Sequence, residues 1–503
     1  MRATTGLVVV LGLLGCGGGD DDGGGGPDAS SGPQETVTVT VTGVGQGAVT
    51  SDVGEIECTR EGGTCEADVP QGSDVVLSAA PVDGYLFNGW IGAGCARRSA
   101  TCTVTADDAV EVSASFVSLI WDSSGAPEGE GGPLPASNIW SSLTDGSEAT
   151  PLTAITADTV FAYGAVWSPD GERIAFVSDQ MLDGSDEPNT NLVYNIWIMN
   201  GDGSEATPLT ELTGEDIVND EPQWSPDGTR ILYSSNRAVD GSDAIAPDPA
   251  GNIWVAAADG SSDEAVTDTG ARTYEPEWSP DGMWIVYESQ RPLEEEEAGG
   301  PTNIWLVRAD GSDDHSVTDL TAADVDCVRV GFAPGGERLI FSSPRARNGD
   351  DALQGDGFTW NLFTMDLDGG DLTALTPFTA DNAFADEPSF SPDGTRIYFN
   401  SSGALDGDDA GIMTRNLWVM DADGSNREPL TELTSVVTLR RPLVSPDGSV
   451  IFYQSTRVPD GSDEALETNA YNVWRMDPDG SNHVPVTEHT LADEYSGRPD
   501  PGY

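Results

Sequence analysis

Residues 224–235 read Trp-Ser-Pro-Asp-Gly-Thr-Arg-Ile-Leu-Tyr-Ser-Ser, and the chain repeats this phrase with small changes. Further copies occupy residues 167–178, 278–289, 332–343, 390–401 and 444–455. A second phrase, Asn-Ile-Trp or a close variant leading into Asp-Gly, has seven starts that lie 51 to 58 residues apart: Asn138, Asn195, Asn252, Asn303, Asn361, Asn416 and Asn472. A period of this size indicates a repeat architecture.

Each repeat has the pattern of four short antiparallel strands. In Ser-Pro-Asp-Gly, proline sets φ of the second turn position and glycine closes the turn. A short apolar run follows, such as Ile-Ala-Phe-Val at residues 174–177, and it has the length of a strand. Asp202-Gly203 predicts a second hairpin in the same unit. Units of this kind repeated radially predict an all-β chain with a β-propeller over residues 118–503.

The number of blades follows from the two ends of the repeat region. There are seven Asn phrases but six turns of the Ser-Pro-Asp-Gly type. Residues 118–123 align with residues 230–235, so the first unit begins at its second strand. Residues 493–502 follow the last unit where residues 220–228 follow an earlier one. We therefore expect a carboxy-terminal strand, 493–503, to close a ring of seven blades, with six blades as the alternative.

The repeated phrases also resemble a known family. Ser-Pro-Asp-Gly-x-x-Ile-x-[Phe/Tyr]-x-Ser followed by Asn-[Ile/Leu]-Trp-x-Met-x-x-Asp-Gly-Ser is similar to the WD-like repeat of TolB-type propellers. The resemblance covers residues 118–503 and implies a propeller fold. It implies no single activity, because this fold carries binding proteins and enzymes alike.

The amino terminus has the features of an export signal. Arg2 precedes an apolar run at residues 7–14 that is too short to span a bilayer as a mature helix. Leu13-Leu14-Gly15-Cys16 resembles the lipobox of bacterial lipoproteins, which implies a signal peptide over 1–16 and lipid on Cys16. An ordinary signal peptide with an unrelated cysteine is the alternative. Residues 17–35 are rich in Gly and Asp and then small and polar, which predicts a flexible tether.

These features predict where the protein resides. Gly17 after the lipobox cysteine favours, by the same resemblance, the outer membrane over the inner membrane. We therefore expect an exported protein held by its lipid at the outer membrane, on the periplasmic face or at the cell surface.

Residues 36–117 have the pattern of a small β domain. Residues 37–42 alternate Val and Thr, as in a half-buried strand. Glycine-rich turns, Phe87-Asn88-Gly89-Trp90 and four cysteines follow. Together they resemble the divergent internalin-B-type B-repeat of bacterial surface proteins.

The cysteines of this domain allow two interpretations. Cys58 and Cys65 have the same seven-residue spacing as Cys95 and Cys102, and disulfides persist in exported chains. We favour two hairpin-closing disulfides, which would compensate for the thin core of a small domain. The alternative is a zinc site of all four thiolates, although zinc ribbons place two residues between paired ligands. Cys327 stands alone in the propeller and is predicted to be a buried, inert thiol.

The charge of the chain limits its partners. The formal net charge is −64, with 86 acidic and 22 basic residues. Such a chain repels nucleic-acid phosphates and anionic lipid headgroups, so we exclude nucleic acid and expect membrane contact through the lipid alone.

Acidic residues concentrate between the second and third strands of the units. A propeller gathers these connections on the face opposite its short turns, and function usually lies on such loops. We predict a monomeric, lipid-anchored binding or scaffold protein whose acidic face contacts a protein or an envelope polymer, with a basic protein as a favoured partner. The candidate residues are Asp183, Asp186, Glu187, Asp240, Asp243, Asp406, Asp409, Asp460 and Asp463.

Calcium is the alternative occupant of these loops, because clustered carboxylates suit a hard cation. The loops lack the spacing of an EF-hand, and Asp-Gly-Ser-Asp is also an ordinary turn sequence. We therefore expect neither a metal nor another cofactor. A calcium-stabilised surface adhesion module is the function that the alternative would imply.

The histidines argue against catalysis. His315 and His483 enter outermost strands and His489 follows one, so none is expected near the axis, where propeller enzymes collect polar groups. There is no Gly-x-Ser-x-Gly elbow, and we expect no hydrolase domain after the last unit. We therefore predict that the chain is not an enzyme, with a hydrolase or lyase that uses carboxylates alone as the alternative.

Overall fold

A computed structural model describes most of the chain. The described residues are 33–95, 99–124, 136–157, 159–185, 189, 191–240, 242–246, 251–293, 300–322, 324–354, 359–379, 383–403, 411–435, 437–462, 464–466, 470–489 and 499–500. Every regular element within these ranges is a β-strand. The same ranges contain no helix long and apolar enough to cross a membrane.

The amino-terminal domain consists of two sheets. Sheet order is β5-β1-β9-β7 in the first and β4-β3-β2-β6-β8 in the second. Val37, Val39 and Val41 are buried on one face of β1, as their alternation predicts, and they pack with Phe87 and Trp90. The strands are β1 (Gln34–Thr42), β2 (Gly47–Ser51), β3 (Glu57–Thr59), β4 (Gly62–Thr64), β5 (Glu66–Pro70), β6 (Asp74–Pro81), β7 (Leu86–Ile91), β8 (Thr101–Thr105) and β9 (Val110–Val117).

Both predicted disulfides are confirmed. Cys58 is bonded to Cys65 and Cys95 to Cys102, with Cα–Cα distances of 4.7 and 5.3 Å. The zinc alternative is wrong, because all four sulfurs are used in these bonds. Disulfides persist in oxidising compartments, which agrees with an exported protein. Cys327 is free and buried, as predicted, and burial raises the pKa of its thiol to about 12.

Seven sheets, named I to VII here, follow in the described residues, and neighbouring strands within each are antiparallel and consecutive. Sheets I to III contain β10 (Leu119–Ser123), β11 (Asn138–Ser142) and β12 (Thr150–Pro151); β13 (Ala162–Trp167), β14 (Arg173–Ser178), β15 (Asn195–Asn200) and β16 (Thr207–Pro208); and β17 (Asn219–Trp224), β18 (Arg230–Ser235), β19 (Asn252–Ala257) and β20 (Asp263–Ala265). Sheets IV and V contain β21 (Thr273–Trp278), β22 (Trp284–Ser289), β23 (Asn303–Arg308) and β24 (His315–Ser316); and β25 (Val328–Phe332), β26 (Arg338–Ser343), β27 (Asn361–Asp366) and β28 (Thr373–Ala374). Sheets VI and VII contain β29 (Ala385–Phe390), β30 (Arg396–Gly403), β31 (Gly411–Asp421) and β32 (Glu428–Pro429); and β33 (Leu439–Val444), β34 (Ile451–Ser455), β35 (Asn472–Met476) and β36 (Val484–Pro485).

The sheets have the arrangement of a β-propeller. First strands of successive sheets contact one another, so they are the innermost strands. Because neighbouring strands are antiparallel, the Ser-Pro-Asp-Gly turns and the Asp-Gly-Ser hairpins lie at one end of the sheets. We call that end the short-turn face. The connections between second and third strands lie at the other end, the long-loop face.

The asparagine of the second phrase holds each sheet together. Asn303 Oδ1 accepts hydrogen bonds from Thr318 Oγ1 at 2.8 Å and from the Leu320 amide at 2.9 Å, while its Nδ2 donates to the Leu320 carbonyl at 3.1 Å. Asn303 is 1% exposed. Equivalent asparagines bond a threonine 15 residues later and backbone 17 residues later, and they are Asn138, Asn195, Asn252, Asn361, Asn416 and Asn472. Side-chain geometry therefore explains why the phrase begins with Asn.

The amino-terminal domain packs on the short-turn face of sheets I and II. Asn88 is fully buried, and its Nδ2 donates to the carbonyls of Ser168 and Pro169 at 3.0 Å each. Leu86 and Val117 belong to the same apolar cluster as residues of sheets I and II. The long-loop face lies at the opposite end of the sheets, away from this contact.

Residue 500 lies beside the first strand of sheet I, the sheet with three described strands. Ile120 and Asp500 form an antiparallel bridge, with amide-to-carbonyl distances of 3.3 and 2.8 Å. Asp500 Oδ2 also accepts a hydrogen bond from the Trp167 amide of sheet II at 2.7 Å. The remainder of the predicted closing strand, 493–498 and 501–503, lies outside the described residues.

Candidate functional site

The innermost strands of sheets II to VII carry a bulge at the same position. In each strand the register with the second strand shifts there. The first bulge residue has a φ between 45° and 63°, and these residues are Gly164, Glu221, Glu275, Arg329, Glu387 and Arg441. This left-handed conformation costs a non-glycine residue roughly 1–3 kcal/mol and occurs preferentially at functional sites. Five of the six positions nevertheless carry a charged side chain.

Side chains of the bulges connect neighbouring sheets. Glu221 Oε2 accepts a hydrogen bond from the Glu275 amide at 3.1 Å. Glu387 Oε2 accepts one from the Arg441 amide at 2.7 Å. Arg329 forms an ion pair with the Glu275 carboxylate. These contacts link the charged bulge positions of sheets III, IV and V to one another, and they link those of sheets VI and VII.

Two carboxyl groups from second strands accept hydrogen bonds from backbone amides of the bulges in the next sheet. Asp122 Oδ1 accepts a hydrogen bond from the Gly164 amide at 3.3 Å, and Glu288 Oε1 accepts one from the Val330 amide at 3.1 Å. Burial raises the pKa of Asp122 to about 6 and that of Glu288 to about 8, although these amide hydrogen bonds act in the opposite direction. Burial also raises the pKa of Asp220, which lies next to a bulge.

We call these groups together the axial cluster. Charges from different sheets act on one another within it, since Arg441 lowers the pKa of Asp122 and of Asp220 while Asp386 raises that of Glu288. The cluster has seven carboxyl groups and two guanidinium groups, from Asp122, Asp220, Glu221, Glu275, Glu288, Asp386, Glu387, Arg329 and Arg441. This excess of acid suits a cationic ligand, and the arginines hold carboxylates in position.

Two buried polar atoms lie at neighbouring positions. Ser342 and Asn400 occupy the register position in β26 and β30 that Glu288 occupies in β22. Both are fully buried, and within the described residues Ser342 Oγ and Asn400 Oδ1 have no hydrogen-bond partner. Asn400 Nδ2 donates to Glu387 Oε2 of the bulge. Buried polar atoms of this kind are usually satisfied by ordered water or by a ligand.

The predicted acidic face is only partly described. Asp183, Asp240 and Asp460 are exposed, and the oxygens of each accept the amide of the serine two residues later at 2.8 to 2.9 Å. The serine hydrogen bonds lower the pKa of each aspartate. Asp186, Glu187, Asp406, Asp409, Asp463 and the lipobox residue Cys16 lie outside the described residues.

Asp243 has a different role from its predicted neighbours. Its Oδ2 accepts hydrogen bonds from the amide and the hydroxyl of Thr213, at 2.9 and 2.7 Å. This contact joins the long loop of sheet III to the connection that leaves sheet II.

In the described part of the chain, no group of three or more His, Cys, Asp or Glu side chains is arranged to hold a metal ion.

The histidines do not join the axial cluster. His315 is exposed at an outermost strand, and His483 Nδ1 lies 3.1 Å from Tyr453 Oη. His489 is buried where sheet VII meets sheet I, with its Nε2 3.0 Å from Ser123 Oγ.

The sequence analysis considered histidines as catalytic residues and did not identify the carboxylates of the axial cluster. The sequence marks these positions without revealing their contacts, because a charged residue precedes proline in four innermost strands, at Glu221, Glu275, Glu387 and Arg441.

Comparisons with known proteins cover both parts of the chain. Residues 37–119 match the family model of the divergent InlB B-repeat domain. The uncharacterized peptidase YuxL of Bacillus subtilis is 26% identical over 261 residues, which are 51% of this chain and 32% of that protein. The uncharacterized protein Atu1656 of Agrobacterium fabrum is 29% identical over 176 residues, which are 35% and 52% of the two chains. The chain thus spans a third to about half of the length of these curated relatives.

A solved structure of a putative TolB from Agrobacterium tumefaciens is also similar. Its identity to this chain is 22%, the match covers 58% of this chain and 92% of that one, and the TM-score is 0.39.

The prediction that the chain is not an enzyme is contradicted by the relative that is named a peptidase. The prediction rested on the positions of the three histidines, on the absence of a Gly-x-Ser-x-Gly elbow and on the expectation that no hydrolase domain follows, and it kept a carboxylate-only hydrolase or lyase as the alternative. The chain combines a match to the divergent InlB B-repeat domain at residues 37–119 with a β-propeller that has TolB among its structural neighbours, as the sequence predicted.

Proposed function

We propose that this protein is a lipid-anchored envelope binding protein whose long-loop face holds basic groups of a partner polypeptide over the axial cluster. The observation that carries the proposal is that charged residues occupy five of the six bulge positions, all six of which have a left-handed φ. A structure keeps such strain where the position serves a function. Seven carboxyl groups against two guanidinium groups favour a basic partner.

The proposal includes a ring of seven blades. Asp500 accepts the Trp167 amide of the next sheet at 2.7 Å, and Glu277 accepts the equivalent Phe332 amide at 3.1 Å. Asp500 pairs with Ile120 in the same register position. These contacts support a closing strand, 493–503, that completes sheet I from the carboxy terminus.

The proposal also includes anchoring through lipid on Cys16. It is supported by the lipobox-like Leu13-Leu14-Gly15-Cys16 and by two disulfides typical of an oxidising compartment. A Cys16→Ser variant should leave the membrane fraction for the soluble fraction in a fractionation of producing cells. Unchanged partitioning would exclude this anchor.

Binding is tested with a fluorescent octalysine peptide and anisotropy at low and high salt. The full chain should bind, and binding should weaken as salt rises, because the attraction is electrostatic. Glu221→Gln together with Glu387→Gln should reduce affinity by about tenfold or more, which corresponds to roughly 1.4 kcal/mol. Asp202→Asn, a neutralised carboxyl of a short-turn hairpin, is the matched control. Equal affinities for the double variant and the parent would reject the axial site.

Carboxylate catalysis is a second candidate, favoured by Glu288. Its pKa of about 8 would keep the group protonated at neutral pH, as a general acid requires. The curated relative named as a peptidase makes peptides the first substrates to test. The purified chain should hydrolyse members of a mixed peptide library, and Glu288→Gln should abolish that hydrolysis. Turnover that Glu288→Gln leaves intact, or no turnover by the parent, would end this candidate.

A further inference from the structure

Exposed apolar side chains concentrate on one part of the long-loop face. Seven large apolar residues are exposed within the described part of the chain, and four of them lie in the loops of sheets II and III: Met181, Leu192, Val218 and Ile245. Leu192 is 59% exposed and has a φ of 53°. A bulky residue in the left-handed region is uncommon. The loops therefore present leucine to solvent in a conformation that this residue disfavours.

Hydrogen bonds join three of these residues into one surface. Asn191, next to Leu192, donates through Nδ2 to the Thr213 carbonyl at 2.8 Å and accepts the Asp216 amide at 2.9 Å. The Val218 amide donates to Asn236 Oδ1 at 2.9 Å. The Asn236 carbonyl in turn accepts the Ala246 amide, next to Ile245, at 2.9 Å. We call Leu192, Val218 and Ile245 the apolar edge.

A small core lies beneath the apolar edge. Val193, Leu212 and Ile217 are buried together and form a separate apolar cluster. Two of them are direct chain neighbours of Leu192 and Val218. The exposed side chains of the apolar edge therefore lie next to a packed apolar cluster.

Acidic side chains surround the apolar edge. Glu211, Glu215, Asp216, Asp240 and Asp243 are exposed in the same loops and connections. Among the described residues between 179 and 194, 211 and 220, and 236 and 246, the one basic side chain is Arg237. It is buried, pairs with Asp263 at 2.7 Å and stacks 3.6 Å from the centroid of Trp254. No arginine or lysine of these described loops is therefore available to a partner.

The charge selects the kind of partner. A surface of apolar residues with an acidic border complements a segment whose apolar side chains are flanked by Lys or Arg. Anionic lipid headgroups would be repelled. A second copy of this chain would bring the same acidic border against its own.

We propose that the apolar edge docks the apolar side chains of a basic amphipathic polypeptide segment. The inference rests on the proposed function, because it assumes the same basic partner. It adds a second, apolar determinant at the edge of sheets II and III, outside the axial cluster.

The test measures the binding of three fluorescently labelled 14-residue peptides to the full chain by fluorescence anisotropy. One contains Lys and Leu with helical amphipathic spacing, one has Ser in place of each Leu, and one has Glu in place of each Lys. The Lys/Leu peptide should bind about tenfold more tightly than the Lys/Ser peptide, as expected for burial of one or two leucine side chains. The Glu/Leu peptide should not bind.

The decisive variant is Leu192→Ser together with Ile245→Ser. Because both side chains are exposed, the thermal unfolding midpoint should change little, and a thermal scan checks that the variant folds. Its affinity for the Lys/Leu peptide should fall to that for the Lys/Ser peptide, with Lys/Ser binding unchanged. Met283→Ser is the matched control, because Met283 is 54% exposed but lies on the short-turn face. It should have no effect.

The possible results separate this inference from the proposed function. If the parent binds both lysine peptides equally, or if the double variant keeps its preference for leucine, the inference is overturned and the proposed function stands. If neither lysine peptide binds, both are overturned. Binding of phosphatidylglycerol vesicles through the edge, or self-association lost in the double variant, would assign the edge to another occupant and overturn the inference.

Discussion

At the scale of single residues, the pKa of a side-chain carboxyl group is shifted in opposite directions at Asp183 and at Glu288. Asp183 is exposed, and hydrogen bonds from Ser185 lower the pKa of its carboxyl. Glu288 is 4% exposed, and burial raises the pKa of its carboxyl to about 8. Nearby Glu221 and Asp386 add to this rise, against the amide hydrogen bonds. Location rather than residue type therefore decides which acids are ionised at neutral pH.

The raised pKa of Glu288 predicts a pH dependence of stability. Its folded pKa of about 8 lies above the ordinary value of 4.5. Its contribution is therefore fully present below about pH 4.5 and is lost as the pH rises through about 8. Between these values the free energy of unfolding should fall by a few kcal/mol, on the order given by linkage. Urea unfolding of the parent and of Glu288→Gln at pH 5, 6.5 and 8.5 should show a flatter dependence in the variant.

Glu264→Gln is the control for this comparison, because Glu264 is exposed on β20. It should follow the parent at every pH. A Glu288→Gln variant whose stability falls as steeply as that of the parent would contradict the assignment.

At the scale of elements, the asparagine contacts are repeated in all seven sheets. Each side chain satisfies backbone groups just after the outermost described strand, which has only two or three residues. Such a short strand makes few ladder hydrogen bonds of its own. The side chain of the third strand therefore helps to hold the outer strand in place.

Replacing one of these asparagines should destabilise the fold. Asn303→Ala would remove the hydrogen bonds to Thr318 and Leu320 and leave the Leu320 amide unsatisfied near the buried Thr318. The expected cost is about 2–4 kcal/mol, typical of buried polar groups that lose their partners. The midpoint of urea unfolding measures it. Asn348→Ala, at an exposed asparagine of a long loop, should cost less than about 0.5 kcal/mol. Equal effects of the two variants would show that the contact is not stabilising.

At the scale of the whole molecule, the two parts of the chain are in close contact. Gly171 of the first Ser-Pro-Asp-Gly turn has a φ of 66°, and a Cβ there would lie 2.6 Å from Ser115 Oγ of the amino-terminal domain. Arg60 of that domain also forms an ion pair with Glu172 at 3.5 Å. The domain therefore covers part of the short-turn face and leaves the long-loop face accessible.

Ring closure is tested by removing the carboxy-terminal segment. Deletion of residues 493–503 would remove the bridge to Ile120, which is fully buried, and would leave the Trp167 amide without its partner. Exposed apolar surface and unpaired backbone groups should cost several kcal/mol, roughly 3 or more. Asp500→Ala should cost less, about 1–3 kcal/mol. Differential scanning calorimetry checks the order full chain, Asp500→Ala, deletion. A truncated protein that unfolds at the temperature of the full chain would mean that the ring closes in another way.

The sequence by itself determined the features that depend on local contacts. Strands, turns and both disulfides involve partners close together in the chain, such as Cys58 and Cys65, so composition and spacing were enough to predict them. The tertiary structure alone decided the axial cluster, because Glu221, Glu275 and Asp122 come from different repeats. A Glu-Pro pair in a repeat does not reveal that a bulge aims the carboxylate at the neighbouring sheet. Burial then sets the pKa of Glu288, and burial depends on how all the sheets pack.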